Sequence, residues 1–200
     1  ILPVMARRKE VCKYLDIALQ HIDDTVLDNM RRHITAEETR RLLERIRREV
    51  PGIHIRTTMM VGFPGEDDAG FERLVDFVKE QRFERLGAFA YCEEDDTYAA
   101  RNYDDSIPDE VKQARLERLM SVQEEIATEV AASKVGKTLR VIIDEYDDNM
   151  GRWIGRTEFD SPEVDCNVFV ESDSELAPGD IRNVTITDSE GFDLYGTVRL

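Results

Sequence analysis

The 200-residue sequence holds three cysteines, Cys12, Cys92 and Cys166, and no two are close enough to make a CxxC pair. That dispersal excludes a zinc knuckle or a local iron–sulfur loop, and the thiols read as mostly core residues in a reducing compartment. Histidine is as sparse: His21, His33 and His54 share no metal-ligand spacing, so no metal is assigned to the chain. No apolar run reaches the roughly 18 residues of a membrane span, and the first residues lack the zones of a signal peptide. The expectation is a cytoplasmic protein with no membrane partner. An initiator methionine is missing as well, and ILPVMARRKEVCKYLDIAL reads as a chain entered in mid-fold, a fragment. Low-complexity tracts and internal repeats are absent.

Positive charge is in short supply. There are 27 basic against 43 acidic residues, a formal net charge of −16. An RNA or DNA backbone is therefore disfavoured as main partner, because phosphate binding needs cationic surface. A basic protein is the better match, and solubility alone is the alternative. The deficit is uneven: residues 136–200 hold 15 acidic and 6 basic residues, against 28 and 21 in residues 1–135.

What is present is enough for real cores, with 41% hydrophobic residues. YLDIAL (14–19) reads as a buried strand, and TVLDNMRRH as a short helix. In TAEETRRLLERIRREV, Thr35 and Glu38 form a capping-box pattern, and Leu42, Leu43, Ile46 and Val50 share one face. A strand over IHIRTTMMV (53–61), a helix over 67–82 with Phe71, Leu74, Val75 and Val78 inward, and a strand over RLGAFAYC (85–92) complete βα units, which predict a parallel sheet covered on both faces. After the acidic loop EEDDTYAARNYDD, Pro108 opens a long helix to about Ser133, with Val111, Leu119, Val122, Ile126 and Val130 at helical spacing. From Val135 the texture changes to TLRVII, RWIGRT, NVFVE, IRNVTIT and LYGTVRL, which predict a small antiparallel barrel of five strands. The expected domains are 1–134 and 135–200.

Ligands of parallel α/β sheets gather at the carboxyl ends of the strands. Those ends are Gln20-His21, the VGFPGE corner and Cys92–Thr97, so three polar clusters are expected on one rim. Glycines in such a corner can let backbone N–H groups approach a polar ligand at a helix N-terminus; a plain tight turn is the other reading. No GK[ST] follows, so it is not a P-loop. Strand alternation places Asp16 with Gln20 and Arg56 with Thr58, polar groups that need each other or a ligand.

Taken together, YLDIALQHIDDTVLDNMRR, RTTMMVGFPGE, AFAYCEEDDT and the terminal module with GRTEFDSPEVD resemble the methylthiotransferases of the radical S-adenosylmethionine class. The match covers nearly the whole chain. LDIALQHI and GRTEFDSPEVD look like the branch that modifies an aspartate of a small-subunit ribosomal protein, and less like the branch that modifies a tRNA adenosine. The resemblance implies an α/β fold, the second half of a TIM-like radical-SAM barrel, followed by a five-stranded TRAM β-barrel that helps bind the substrate. It also implies that Gln20, His21, Arg56, Thr58, Gly62, Gly65 and Glu66 belong to the S-adenosylmethionine pocket. The family's reaction needs a CxxxCxxC loop for one [4Fe-4S] cluster and a second cluster on an N-terminal domain. Neither motif is in this sequence, so no catalytic residue is assigned and this stretch alone is expected to be inert. The expected partner is a basic ribosomal protein rather than tRNA, met by the acidic loop residues Glu158, Asp160, Glu163 and Asp165. A non-catalytic acidic docking module is the alternative from a different class.

Overall fold

In the computed structural model, which describes residues 1–198, the chain forms two compact units. One comprises Ile1–Ala6 with Leu15–Ile126, the other Arg7–Tyr14 with the chain from Ala127 onward. Along the chain run α1 (Leu2–Arg7), β1 (Tyr14–Asp16), α2 (Asp24–Asn29), α3 (Ala36–Glu49), β2 (His54–Val61), α4 (Asp68–Gln81), β3 (Arg85–Ala90), α5 (Tyr98–Asn102) and α6 (Asp109–Ala132). Then follow β4 (Thr138–Asp147), β5 (Arg152–Thr157), β6 (Val168–Ser172), β7 (Ile181–Glu190) and β8 (Asp193–Val198).

The first unit carries the expected parallel sheet, in the order β1-β2-β3. β2 and β3 pair in parallel from Arg56 opposite Arg85 to Val61 opposite Ala90. Local signals set the helix starts. Thr35 and Glu38 make the reciprocal capping box of α3, while Asp23 and Asp67 accept the first free N–H groups of α2 and α4. Burial by itself would raise the Asp23 carboxyl, but hydrogen bonds from Arg73 and the Val26 amide hold it below its ordinary value. A carboxyl depressed by folding adds stability above its unfolded pKa and loses it as pH falls through the folded one.

Two expectations for this sheet are corrected. It is not covered on both faces: along β2, Ile55, Thr57, Met59 and Val61 are buried, while His54, Arg56, Thr58 and Met60 are half-buried. The buried set shares its core with Leu43, Ile46, Leu74, Val75, Phe77 and Val78 of the helices, and the other face stays open, with Phe89 62% exposed. Nor is YLDIAL a continuous buried strand. β1 ends at Asp16, which is exposed, and Gln20 has φ of +72° where it bridges Met59. The Ile17 amide bonds Arg56 O and the Gln20 amide bonds Thr58 O, so the chain advances three residues against two on β2. That bulge breaks the alternation that had placed Asp16 and Gln20 together; Asp16 instead pairs with Arg56 at 3.5 Å.

The stretch expected as an acidic loop contains α5, capped by Thr97. The cysteines are not core thiols either, since Cys12 and Cys92 are exposed and Cys166 is intermediate; each lies two residues outside a strand.

In the second unit β4-β5-β6-β8-β7 close a barrel around Val141, Ile143, Val168, Val170, Val184, Ile186 and Leu194. It is antiparallel except where β6 meets β8 in parallel. Parity requires this: in a closed ring with an odd number of strands, directions cannot alternate at every contact. No helix among the described residues is long and apolar enough to cross a membrane.

Candidate functional site

Two of the three expected clusters meet, through Gln20 and Phe63, and in place of Cys92–Thr97 the residues just beyond it, Tyr98 and Ala99, join them. Gln20 beyond β1, Met60 and Phe63 at the end of β2, and Tyr98 and Ala99 beyond β3 line one cleft of ≈ 240 Å³ together with residues 29–32. Its lining mixes apolar and aromatic residues with Gln20, Asn29, Arg31 and Arg32; Phe63 is backed edge-on by Tyr91 at 4.9 Å, and the Arg31 guanidinium sits 4.5 Å from the Tyr98 ring centroid. Such a mixture of rings with a few polar groups suits a small organic ligand.

The VGFPGE corner beside it is held by its own acid. Glu66 turns inward with its side chain at 0% exposure. One oxygen, Oε1, accepts the Gly62 amide at 3.0 Å and Arg115 Nη1 of α6 at 2.7 Å. The other, Oε2, lies 2.9 Å from His21 Nε2. Because His21 Nδ1 accepts the Asp23 amide at 3.0 Å, its proton is on Nε2, which donates to Glu66. The expected roles of these groups change accordingly. His21, at 0% exposure, is saturated by protein partners and offers no donor to a ligand, and the Gly62 N–H is likewise taken. The glycines answer to packing: a Cβ on Gly62 (φ +75°) would lie 2.4 Å from Lys112 Cγ, and one on Gly65 (φ +96°) 2.4 Å from Asn29 Nδ2. Asn29 also donates to Pro64 O at 3.0 Å. Of the other candidates, Gln20 lines the cleft, whereas Arg56 and Thr58 are half-buried on the open sheet face.

Residues that sequence reasoning missed come mainly from α6. Lys112 is 3% exposed and pairs with Asp105 at 2.6 Å and Asp109 at 3.4 Å. Burial alone would lower its ammonium, but the two carboxylates raise it above its ordinary value. Among the described residues no group of three or more His, Cys, Asp or Glu side chains is placed to hold a metal ion.

The acidic loop of the second unit divides in two. Asp160 accepts the Thr157 hydroxyl and amide, and Asp165 accepts Tyr14 OH at 2.8 Å and the Ser161 amide at 2.7 Å. These two are turn anchors rather than free charges, which corrects the expectation that all four acids face a partner; the Thr157-x-x-Asp160 spacing was the available signal. Glu158 and Glu163 make no hydrogen bond or ion pair among the described residues. Charge reversal of Asp160 or Asp165 to lysine is expected to cost about 1–2 kcal/mol each, and reversal of Glu158 or Glu163 less than about 0.5 kcal/mol. Urea unfolding of the four single variants measures this, and equal costs would refute the division.

Residues 2–78 match the Radical SAM superfamily and residues 135–198 the TRAM domain, so the class is a radical S-adenosylmethionine protein with a TRAM module. Three curated relatives, each the ribosomal protein uS12 methylthiotransferase RimO, come from Parabacteroides distasonis (57% identical over 99% of this chain), Bacteroides fragilis (56% over 98%) and Porphyromonas gingivalis (54% over 99%). Over 98–99% of its length the chain is thus similar to proteins of that name. It spans 45–46% of the length of these relatives. Among solved structures it is similar in fold to coproporphyrinogen III oxidase (HemN) from Escherichia coli, a radical SAM enzyme, with TM-score 0.52 and 21% identity over 63% of this chain and 30% of that one.

Proposed function

We propose that this chain is part of a methylthiotransferase that places a methylthio group on an aspartate of ribosomal protein uS12. The observation that carries the proposal is identity of 54–57% over nearly the whole chain to proteins named for that activity. S-adenosylmethionine and iron–sulfur clusters supply the radical chemistry and the sulfur in this class. The residues of this chain do not fit a cluster, since Cys12, Cys92 and Cys166 are scattered and no metal-competent group is formed among the described residues. The two [4Fe-4S] clusters expected of the intact enzyme therefore find no ligands here.

The rim cleft does fit part of a nucleoside cofactor. Gln20 would meet polar atoms of S-adenosylmethionine, and Met60, Phe63 and Tyr98 would give apolar and ring surface. Glu66, Arg115 and His21 position that rim from behind, with Gly62 and Gly65 allowing the close turn. Arg56 and Thr58 would line the barrel interior. The cytoplasm is the compartment where such a substrate is met.

The test is a strain deleted for both its uS12 methylthiotransferase and its tRNA methylthiotransferase and complemented with the natural gene that encodes this chain. Intact-protein mass spectrometry of uS12 is expected to show the mass of one added methylthio group on an aspartate. Unmodified uS12 together with restored methylthioadenosine in tRNA would overturn the proposal in favour of the tRNA branch.

A further inference from the structure

A cleft of ≈ 510 Å³ opens on the outer face of the β-barrel, over β6 and β8. Its floor is aromatic. Phe169 and Tyr195 are opposed in register and stack at 5.2 Å with their planes 28° apart. Val168 and Val170 point into the barrel core, so alternation sends Phe169 outward, where a polar residue is the norm. One wall comes from an irregularity: the register of β7 on β8 shifts between Ile186 and Asp188. Ile186 thus stays in the core while Asp188 arrives on the outer face opposite Tyr195, and bulges of this kind re-aim side chains at binding surfaces.

The floor already holds one cation. The Arg152 guanidinium lies 5.5 Å from the Tyr195 ring centroid and pairs with Glu171 at 2.8 Å. A planar cation therefore finds both a π face and a carboxylate here. Two more carboxylates line the cleft without a cationic partner among the described residues: Glu190, which accepts the Tyr195 hydroxyl at 3.1 Å, and Asp188.

We infer that this cleft takes a second cationic side chain, arginine ahead of lysine, presented by a basic polypeptide; the inference rests on the proposed docking of a ribosomal protein and names where it docks. Arginine is preferred because its flat guanidinium can lie on the ring floor while its fork reaches the Asp188 and Glu190 carboxylates. A nucleic-acid backbone would meet carboxylates in excess over the single Arg152. The contact moves from the 158–165 loop, half of whose acids are turn anchors, to the β6–β8–β7 face.

The experiment titrates the 200-residue chain with a hexa-arginine peptide, with purified uS12 and with a tRNA anticodon stem–loop, by calorimetry at physiological salt. Asp188→Asn with Glu190→Gln is expected to weaken hexa-arginine and uS12 binding about tenfold. The control pair Glu145→Gln with Asp148→Asn removes the same charge elsewhere on the barrel and should change it less than about twofold. Tyr195→Leu should weaken binding as the cleft pair does, and Tyr195→Phe, which keeps the ring, should restore most of it. Equal weakening by cleft and control pairs would overturn the inference, as would stem–loop binding that is tighter and equally cleft-dependent. Cleft-dependent binding of hexa-arginine with no binding of uS12 would support the site and overturn the partner reading.

Discussion

Arg115→Met is expected to destabilise the α/β unit by about 3–5 kcal/mol, the cost of leaving one member of a buried ion pair without its partner. The arginine is 8% exposed, and it binds both the side chain and the backbone carbonyl of Glu66. With it gone, the Glu66 carboxylate keeps the Gly62 amide and His21 as donors, too few for a group withdrawn from water. Glu66→Gln should cost less in the Arg115→Met background than alone, because the two residues act as one unit. Arg115 also bonds Asp68, but that carboxylate is 99% exposed, so Asp68→Asn should cost less than about 1 kcal/mol. Urea unfolding followed by helical circular dichroism makes the comparison, and an Arg115→Met loss below 1 kcal/mol would refute the clamp. In the same variant the Gly62 amide should exchange faster with solvent, since its acceptor is no longer held in place.

That clamp also marks the limit of what sequence alone displayed. The capping box at Thr35 and Glu38, the inward face of α4, the parallel pairing of β2 with β3 and the change to short strands after Val135 were legible, because each rests on local spacing or apolar periodicity. The helix α6 was legible as a helix and in part of its inward face: Leu119 and Ile126 are buried as the apolar spacing suggested, whereas Val111 is 37% exposed and Val122 and Val130 are half-buried. Lys112, Arg115 and Gln123 complete the buried stripe. Lys112 faces inward with near partners, Asp105 and Asp109, whereas Arg115 and Gln123 do so with partners brought from afar, Glu66 and the Phe83 carbonyl. Nothing in the local sequence announces such a partner. For the same reason the corner's glycines and acid were marked as special while the cause was misplaced: the residues that require them, Lys112, Asn29 and Arg115, lie on other elements.

The largest effect in the second unit is expected at Gly155, where strand geometry leaves no room for even one carbon. Gly155 sits in β5, paired with Ile143 of β4 and Val168 of β6. A Cβ there would lie 2.3 Å from the carbonyl oxygen of Ile142 and 2.8 Å from Val141 Cγ1. The first of these is backbone in the neighbouring strand, so it cannot turn aside as a long side chain could. Gly155→Ala must therefore push β4 and β5 apart, next to the register shift between Ile143 and Glu145. The expected cost is about 3 kcal/mol, at the upper end of overpacking in a closed core. Gly179→Ala is the comparison for a glycine needed by its backbone alone, since it has φ of +91° and nothing within 4 Å of an added Cβ; about 1 kcal/mol is expected there. Trp153, the single tryptophan, lies on β5 two residues from Gly155, so its fluorescence during urea unfolding reports on the barrel directly. A Gly155→Ala barrel that unfolds within 1 kcal/mol of the parent would mean that the two strands can separate at little cost, and that the glycine is not what lets them close.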